Sequence, residues 1–337
     1  MKKILSFVAV ALAAFAMSSC AKSDSEAAQE ATMTLSVSLP DAVGTKAYGD
    51  GMYAEKTVVV GVFDEDGNEQ FRKSYTWGVE EFSKELQLRF VMGRSYQMVI
   101  FAQYGEAYGK PETMPLDQIT LDYARSNRED LDAFWAHVPV FEVKTDFDMS
   151  VTLHRPFAQL NFATTVGDMN ESVADPDLAG LHNKAAVTVK NVANTLNLFT
   201  GETCYIDANN HSEAAGAAVI IPDTEFPKVK VMQDGKEVEV YPTIQVEGVT
   251  YEIVAMNYIL VADSGSKDGK TTVDLKLQVG EFELSVPNAY MKRNWRTNVV
   301  GELLTAEGSF KVSIDPDFTG SYNEFWNQGT DSEIENK

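Results

Sequence analysis

Two of the carboxylates in residues 127–135 (NREDLDAFW), Asp130 and Asp132, suggest a pair, and a carboxylate pair is what acid–base hydrolysis needs. The stretch reads as a short helix. Ser126 or Asn127 can cap it, Glu129 and Asp130 suit its N-terminal dipole, and Leu131, Phe134 and Trp135 form one apolar face. Residues two apart on a helix point in different directions, so this pair is expected on a solvated face. Residues 64–68 (DEDGN) begin like a calcium loop but lack the later ligands, above all the bidentate glutamate. They are expected to be a hairpin turn in which Gly67 supplies the positive φ. The histidines, His137, His154, His182 and His211, are scattered, and with Cys20 and Cys204 they make no zinc spacing. Phosphate loop, nucleophile elbow, H-E-x-x-H and triad signatures do not occur. The chain reads as neither an enzyme nor a cofactor or metal protein.

The elements around these residues are strands. Residues 32–39 (TMTLSVSL) place Met33, Leu35, Val37 and Leu39 on one face and threonine or serine on the other, and Pro40 ends the run. Residues 41–56 form a loop carrying Gly44, Gly49 and Gly51, and within it Gly44-Thr45-Lys46-Ala47 holds a lone basic residue, Lys46. Residues 57–63 (TVVVGVF) are apolar throughout, as in a strand buried on both faces. Strands are also expected over 82–90 and 95–103. Phe147, Met149, Val151 and Leu153 alternate with polar residues up to Arg155-Pro156, where proline breaks the ladder. Beyond it Ala158, Leu160 and Phe162 continue with the opposite parity, so one straight strand cannot bury both sets. This joint divides the chain into an N-terminal β-sandwich over 32–155 and a C-terminal one over 156–320. In the second, eleven strands are predicted between Ala158 and Ile314, with hairpin turns at Asp234-Gly235 and Asp268-Gly269. Residues 321–337 are a polar tail holding Tyr322, Phe325 and Trp326, which pack on their own domain or dock elsewhere.

The termini and the charge bound the setting. Lys2 and Lys3 precede an apolar run from Ile4 to Met17 that stops at Ser18-Ser19-Cys20. That is a secretory leader over 1–19, too short to span a bilayer as a helix. Residues 20–31 read as a flexible tether. Removing the leader takes two lysines away and moves the formal net charge from −22 to −24. Such a field excludes nucleic acid as a partner.

The M-S-S-C sequence ending at Cys20 resembles a bacterial lipobox, which implies cleavage before Cys20 and acylation there with diacylglycerol and palmitate. Three further stretches resemble the fimbrillin superfamily of Bacteroidetes surface lipoproteins. They are V-T-L-H-R-P-F-A-Q-L-N-F at 151–162; N-W-R-T-N-V-V-G-E-L-L-T at 294–305 with F-K-V-S-I-D-P-D-F at 310–318; and the 33–39 strand followed by a basic-Ala site and 57–64. The resemblance implies an all-β chain of two tandem transthyretin-like antiparallel sandwiches with minor short helices. It also implies a fimbrial, adhesive role at the cell surface, anchored in the outer membrane by lipid on Cys20. Cleavage by a processing protease between Lys46 and Ala47 would remove the strand of Met33, Leu35, Val37 and Leu39. Donor-strand exchange with other pilus subunits would follow, in a homo- or heteropolymer, the C-terminal region being the donor. The other reading is a monomeric surface lipoprotein that binds a glycan, with Trp77, Trp135, Trp295 and Trp326 as stacking platforms.

Overall fold

The computed structural model describes residues 29–40, 55–174, 183–207, 212–213, 217–261, 271–305, 310–315 and 324–327. The chain is all-β, with one α-helix and one short 3-10 turn among the described residues. Its first half contains β1 (Glu30–Ser38), β2 (Lys56–Asp64), β3 (Glu69–Trp77), β4 (Ser83–Val91), β5 (Ser95–Tyr104), β6 (Gln118–Thr120), β7 (Ala133–Glu142) and β8 (Phe147–Thr152). Past the Arg155-Pro156 break come β9 (Ala158–Thr165), α1 (Val166–Ala174), β10 (Lys184–Ala193), β11 (Thr195–Asn197), β12 (Thr203–Ile206), β13 (Ser212–Glu213) and β14 (Ala217–Glu225). The remaining strands are β15 (Val229–Gln233), β16 (Lys236–Val240), β17 (Thr243–Val246), β18 (Val249–Val261), β19 (Thr271–Val279), β20 (Phe282–Met291), β21 (Arg296–Gly301), β22 (Phe310–Asp315) and β23 (Glu324–Asn327).

The first half is a sandwich of a three-stranded sheet, β4-β1-β8, and a four-stranded sheet, β3-β2-β5-β7. Their facing side chains form one core that includes Met33, Leu35, Val37, Leu86, Leu88, Val58, Val60, Trp77, Met98 and Ile100. The other face of β2 and β5 carries Val59, Phe63, Val99 and Phe101 into a second core, shared with Phe157, Ala163, Leu196 and Met256 from beyond the break. This explains the unbroken apolar run of β2, because both of its faces are covered. Gly61 is required there by close approach. A Cβ at that position would lie 2.6 Å from Leu116 Cδ1.

The second half is built on a ten-stranded sheet in the order β20-β19-β10-β18-β9-β21-β22-β23, with β14 on β10 and β17 on β18. β9 lies at its centre, antiparallel to β18 and parallel to β21. The pairing is otherwise almost wholly antiparallel; β1 with β8 is the other parallel pair. The Asp234-Gly235 turn forms as expected, both residues having positive φ (51° and 74°), while Asp268-Gly269 falls outside the described residues.

Several sequence expectations are corrected. The helix over 127–135 shrinks to a 3-10 turn, Glu129–Leu131, and Phe134 and Trp135 belong to β7. Neither expected cap acts as one. The Ser126 hydroxyl donates to Thr224 (2.7 Å), and the Asn127 side chain binds the Met256 N–H and the Glu225 carbonyl (2.8 Å each). Both residues are spent tying the halves together. β1 starts at Glu30 rather than 32, because Ala31 is itself buried in the core. β9 is buried on both faces, so its polar positions are as enclosed as Leu160 and Phe162. The strands β3, β6, β7, β12, β13, β17 and β23 and the helix α1 were not anticipated.

Candidate functional site

Met33, Leu35, Val37 and Leu39 are 3 % exposed or less, and Ala31 continues the same row. Period two in the sequence becomes one buried face in the structure. β1 is not an edge strand. It runs antiparallel to β4 over nine residues, from Glu30 opposite Val91 to Ser38 opposite Ser83. On its other side it runs parallel to β8, from Met33 opposite Phe147 to Ser38 opposite Thr152. The ladder is extended by Met92 N–H to the Gln29 carbonyl and Leu39 N–H to the Phe82 carbonyl, both 2.8 Å. Leu153 N–H donates to the Ser38 carbonyl at 2.8 Å, and Thr32 N–H to Asp146 Oδ1 at 2.8 Å.

Among the described strands neither β4 nor β8 has any other ladder partner. Without β1 the two would face each other across about 10 Å, twice the normal strand spacing. Both would then expose a row of unpaired N–H and C=O groups above an open apolar floor. Burial of the four larger side chains stabilises the seat by roughly 6–12 kcal/mol as an upper figure. That is comparable with the ~5–15 kcal/mol of a whole domain.

The other predicted positions fall as follows. Cys20, Lys46 and Ala47 lie outside the described residues, within the segments before Gln29 and between Pro40 and Glu55. Cys204 sits half-buried in β12 as a free thiol. Trp77 and Trp295 are core side chains, and Trp135 is fixed by its Nε1–H on the Leu198 carbonyl (2.8 Å). Trp326 lies in β23, which continues the second sheet beside β22. In the 64–68 turn Gly67 has φ 85°, and the Asp64 carboxylate accepts from the Asn68 and Gln70 side chains (3.0–3.2 Å). Backbone and side-chain hydrogen bonds from Asn68 hold its pKa below the usual carboxylate range.

Asp130 and Asp132 do not share a solvated face. Asp130 pairs with Arg128 at the surface, whereas Asp132 is buried, because the turn ends at Leu131 and Asp132 itself has extended φ/ψ. The buried partner is Arg155. Its Nε and Nη2 donate to the two Asp132 oxygens at 2.6 and 2.8 Å, and Nη1 donates to Asn294 Oδ1 at 2.8 Å. Its guanidinium lies 4.9 Å from the Phe134 ring centroid. Nearby, Glu129 accepts from the Tyr258 hydroxyl (2.9 Å) and Gln159 Nε2 (3.5 Å), and Arg296 Nε donates to Gln159 Oε1 (2.6 Å). Gln159 with Arg296, and Asn161 with Asn298, are direct neighbours across the parallel β9–β21 ladder. Burial pushes the Glu129 carboxyl up to about 7, against the opposing pull of Arg296 and the Tyr258 hydroxyl.

This polar tie joins the turn before β7 to β9, β18 and β21. Clefts of about 510 and 590 Å³ lie elsewhere on the described surface and are lined by none of its charged residues. Glu129 is itself buried, and its carboxylate is engaged by Tyr258 and Gln159. Sequence reasoning missed the tie. Its signal was Arg155, Gln159 and Asn161 interrupting an otherwise apolar stretch.

Among curated proteins none is similar to the chain. Among solved structures, the chain is similar to the tip fimbrial protein Mfa3 from Porphyromonas gingivalis with C-terminal truncation. The identity is 10 %, over 85 % of this chain and 99 % of that one, with a TM-score of 0.43. It is also similar to the fimbrial anchor protein Mfa2 from Porphyromonas gingivalis (13 % identity, 89 % and 98 % covered, TM-score 0.43). A fimbrial assembly protein from Parabacteroides distasonis is a third (13 %, 86 % and 95 %, TM-score 0.40). Residues 24–335 match the model of a family of unknown function, DUF6562, and the chain belongs to that family.

Proposed function

We propose that the protein is a structural or adhesive subunit of a cell-surface pilus, held at the outer membrane by lipid on Cys20 until its first strand is removed and replaced. The observation that carries this reading is the seat of β1. It is the sole ladder partner of both β4 and β8 among the described strands, and its apolar row is fully buried. Yet it is joined to β2 through a segment with three glycines and one basic residue, Lys46. A cut after Lys46 breaks one peptide bond and none of the β1 hydrogen bonds, so the strand stays seated after cleavage. Because β4 and β8 have no substitute partner among the described strands, β1 cannot leave first without loss of the sheet. A neighbour's strand must pair stepwise as β1 peels away, by β-augmentation.

With its leader removed the uncut subunit carries a formal net charge of −24, and such subunits repel one another. Limited trypsin treatment of residues 21–337, with mass spectrometry of the fragments and sizing of the products, tests the reading. Cleavage at Lys46 followed by release of β1 into a larger assembly with a partner subunit is the expected result. Protection of Lys46, or a cut protein that keeps β1 in the presence of every pilus subunit offered, overturns it.

A further inference from the structure

The β1 slot also specifies what can replace β1. This inference rests on the exchange reading above and names the partner. The slot takes five alternate side chains, those of Ala31, Met33, Leu35, Val37 and Leu39, all buried. Ala31 lies opposite Phe90. That ring sits 5.0 Å from Tyr96, 5.8 Å from Phe71 and Phe141, and 6.4 Å from Phe147, centroid to centroid. The aromatic cluster fills the space at this end, so the first position admits only a small residue. The middle positions are flanked by Leu88, Leu86, Met149 and Val151, and their floor is Val58, Val60, Met98 and Ile100. They require aliphatic side chains. Cations on this face include Lys84, opposite Val37 and bound to Glu81, and the buried Lys56, whose ammonium lies 5.0 Å from the Phe82 ring at the Leu39 end.

Residues 316–337 of this chain do not meet that specification. Their odd-numbered positions are polar but for Phe325 and Gly329. Their even-numbered positions run Pro316, Phe318, Gly320, Tyr322, Glu324, Trp326, Gln328, and every five-position frame with two or more aromatics contains Glu324. The frames that bring Glu324 beside Lys84 put Phe318 in the Ala31 position for one strand direction, or Gln328 in the Met33 position for the other. The frame that brings Glu324 to the Leu39 position, near Lys56, puts Gly320 in the Leu35 position, and the remaining frames bury the carboxylate among apolar groups, where an unpaired charge is strongly disfavoured. Meanwhile residues 324–327 are engaged at home, as β23 on β22.

We infer that the slot of one copy is not filled by the C-terminal region of a second copy, and that its partner is a strand of a different subunit. That strand has a small residue at one end and aliphatic residues at the four following alternate positions. The test uses the full chain cut within residues 41–54, with Leu35→Ala in the seated strand to speed its exit. Three labelled peptides are offered: residues 29–40, the same peptide with Ala31→Phe, and residues 316–337. Incorporation is read by native mass spectrometry. Peptide 29–40 is expected to enter, the Ala31→Phe peptide to bind at least about tenfold more weakly, and peptide 316–337 about a hundredfold more weakly or not at all. Entry of 316–337 at levels near those of 29–40, or ladders formed by the cut protein alone, overturns the inference and leaves the exchange reading standing. Failure of 29–40 to enter overturns both.

Discussion

Truncating Leu35 to alanine should cost the first sandwich about 2–5 kcal/mol. The side chain is 0 % exposed, with Leu86 beside it on β4 and Met149 on β8. Three carbons leave the core, and the neighbours cannot collapse freely into the gap because they belong to strands aligned by β1 itself. The loss is a large part of the ~5–15 kcal/mol that holds a domain together. Thr32→Ala, on the exposed face of the same strand, should stay within about 0.5 kcal/mol. Urea unfolding followed by tryptophan fluorescence reports both changes, since Trp77 is buried in the same core. A Leu35→Ala cost below 1 kcal/mol, or one equal to that of Thr32→Ala, would refute the argument that β1 is the strand on which this sheet depends.

Other consequences are as definite. Asp132→Asn leaves the buried Arg155 charge without its carboxylate and should destabilise the chain by roughly 3–5 kcal/mol, seen as a lower urea midpoint. Glu129 has a folded pKa of about 7 against an ordinary 4.5, so the folded state holds the extra proton between those values. Its contribution is fully present below pH 4.5 and is lost as pH rises to 7, by about 3 kcal/mol in all. The stability of Glu129→Gln relative to the parent should therefore rise between pH 5 and pH 8; a pH-independent difference would contradict the assignment. Gly61→Ala should cost about 1–3 kcal/mol through the clash with Leu116, and Leu116→Ala in the same chain should recover part of that loss.

Where one face of a strand meets solvent, the alternation in the sequence was enough to place it. Met33 to Leu39 and Val273 to Val279 are buried in the alternation read from the sequence. β2 was legible for the opposite reason, because only a strand covered on both sides is apolar throughout. β3 was missed because it is mostly exposed and carries no clear alternation. The segment at 127–135 was misread because its carboxylates favour a helix start, while the tertiary pull of Arg155 on Asp132 and of the β5 edge on Ala133 and Phe134 fixes extended backbone instead. That β1 is a central strand, parallel to β8, could not be seen locally. The pairing joins residues 114 apart in the chain, as the bond from Thr32 to Asp146 shows. The strand's chemistry was therefore readable from its residues, and its importance only from its neighbours.

The central claim is that β1 must leave its place between β4 and β8 for assembly. A reversible lock tests it most directly. Thr34 and Gln87 are opposite each other on the outer face of the β1–β4 ladder, with Gln87 Nε2 donating to Thr34 Oγ1 at 3.1 Å. Thr34→Cys with Gln87→Cys, in a chain carrying Cys20→Ser and Cys204→Ser, can be closed by oxidation and opened by reductant. After cleavage in the 41–54 segment and mixing with partner subunit, the oxidised protein should stay unassembled and the reduced protein should assemble. Equal assembly in the two states would contradict the account.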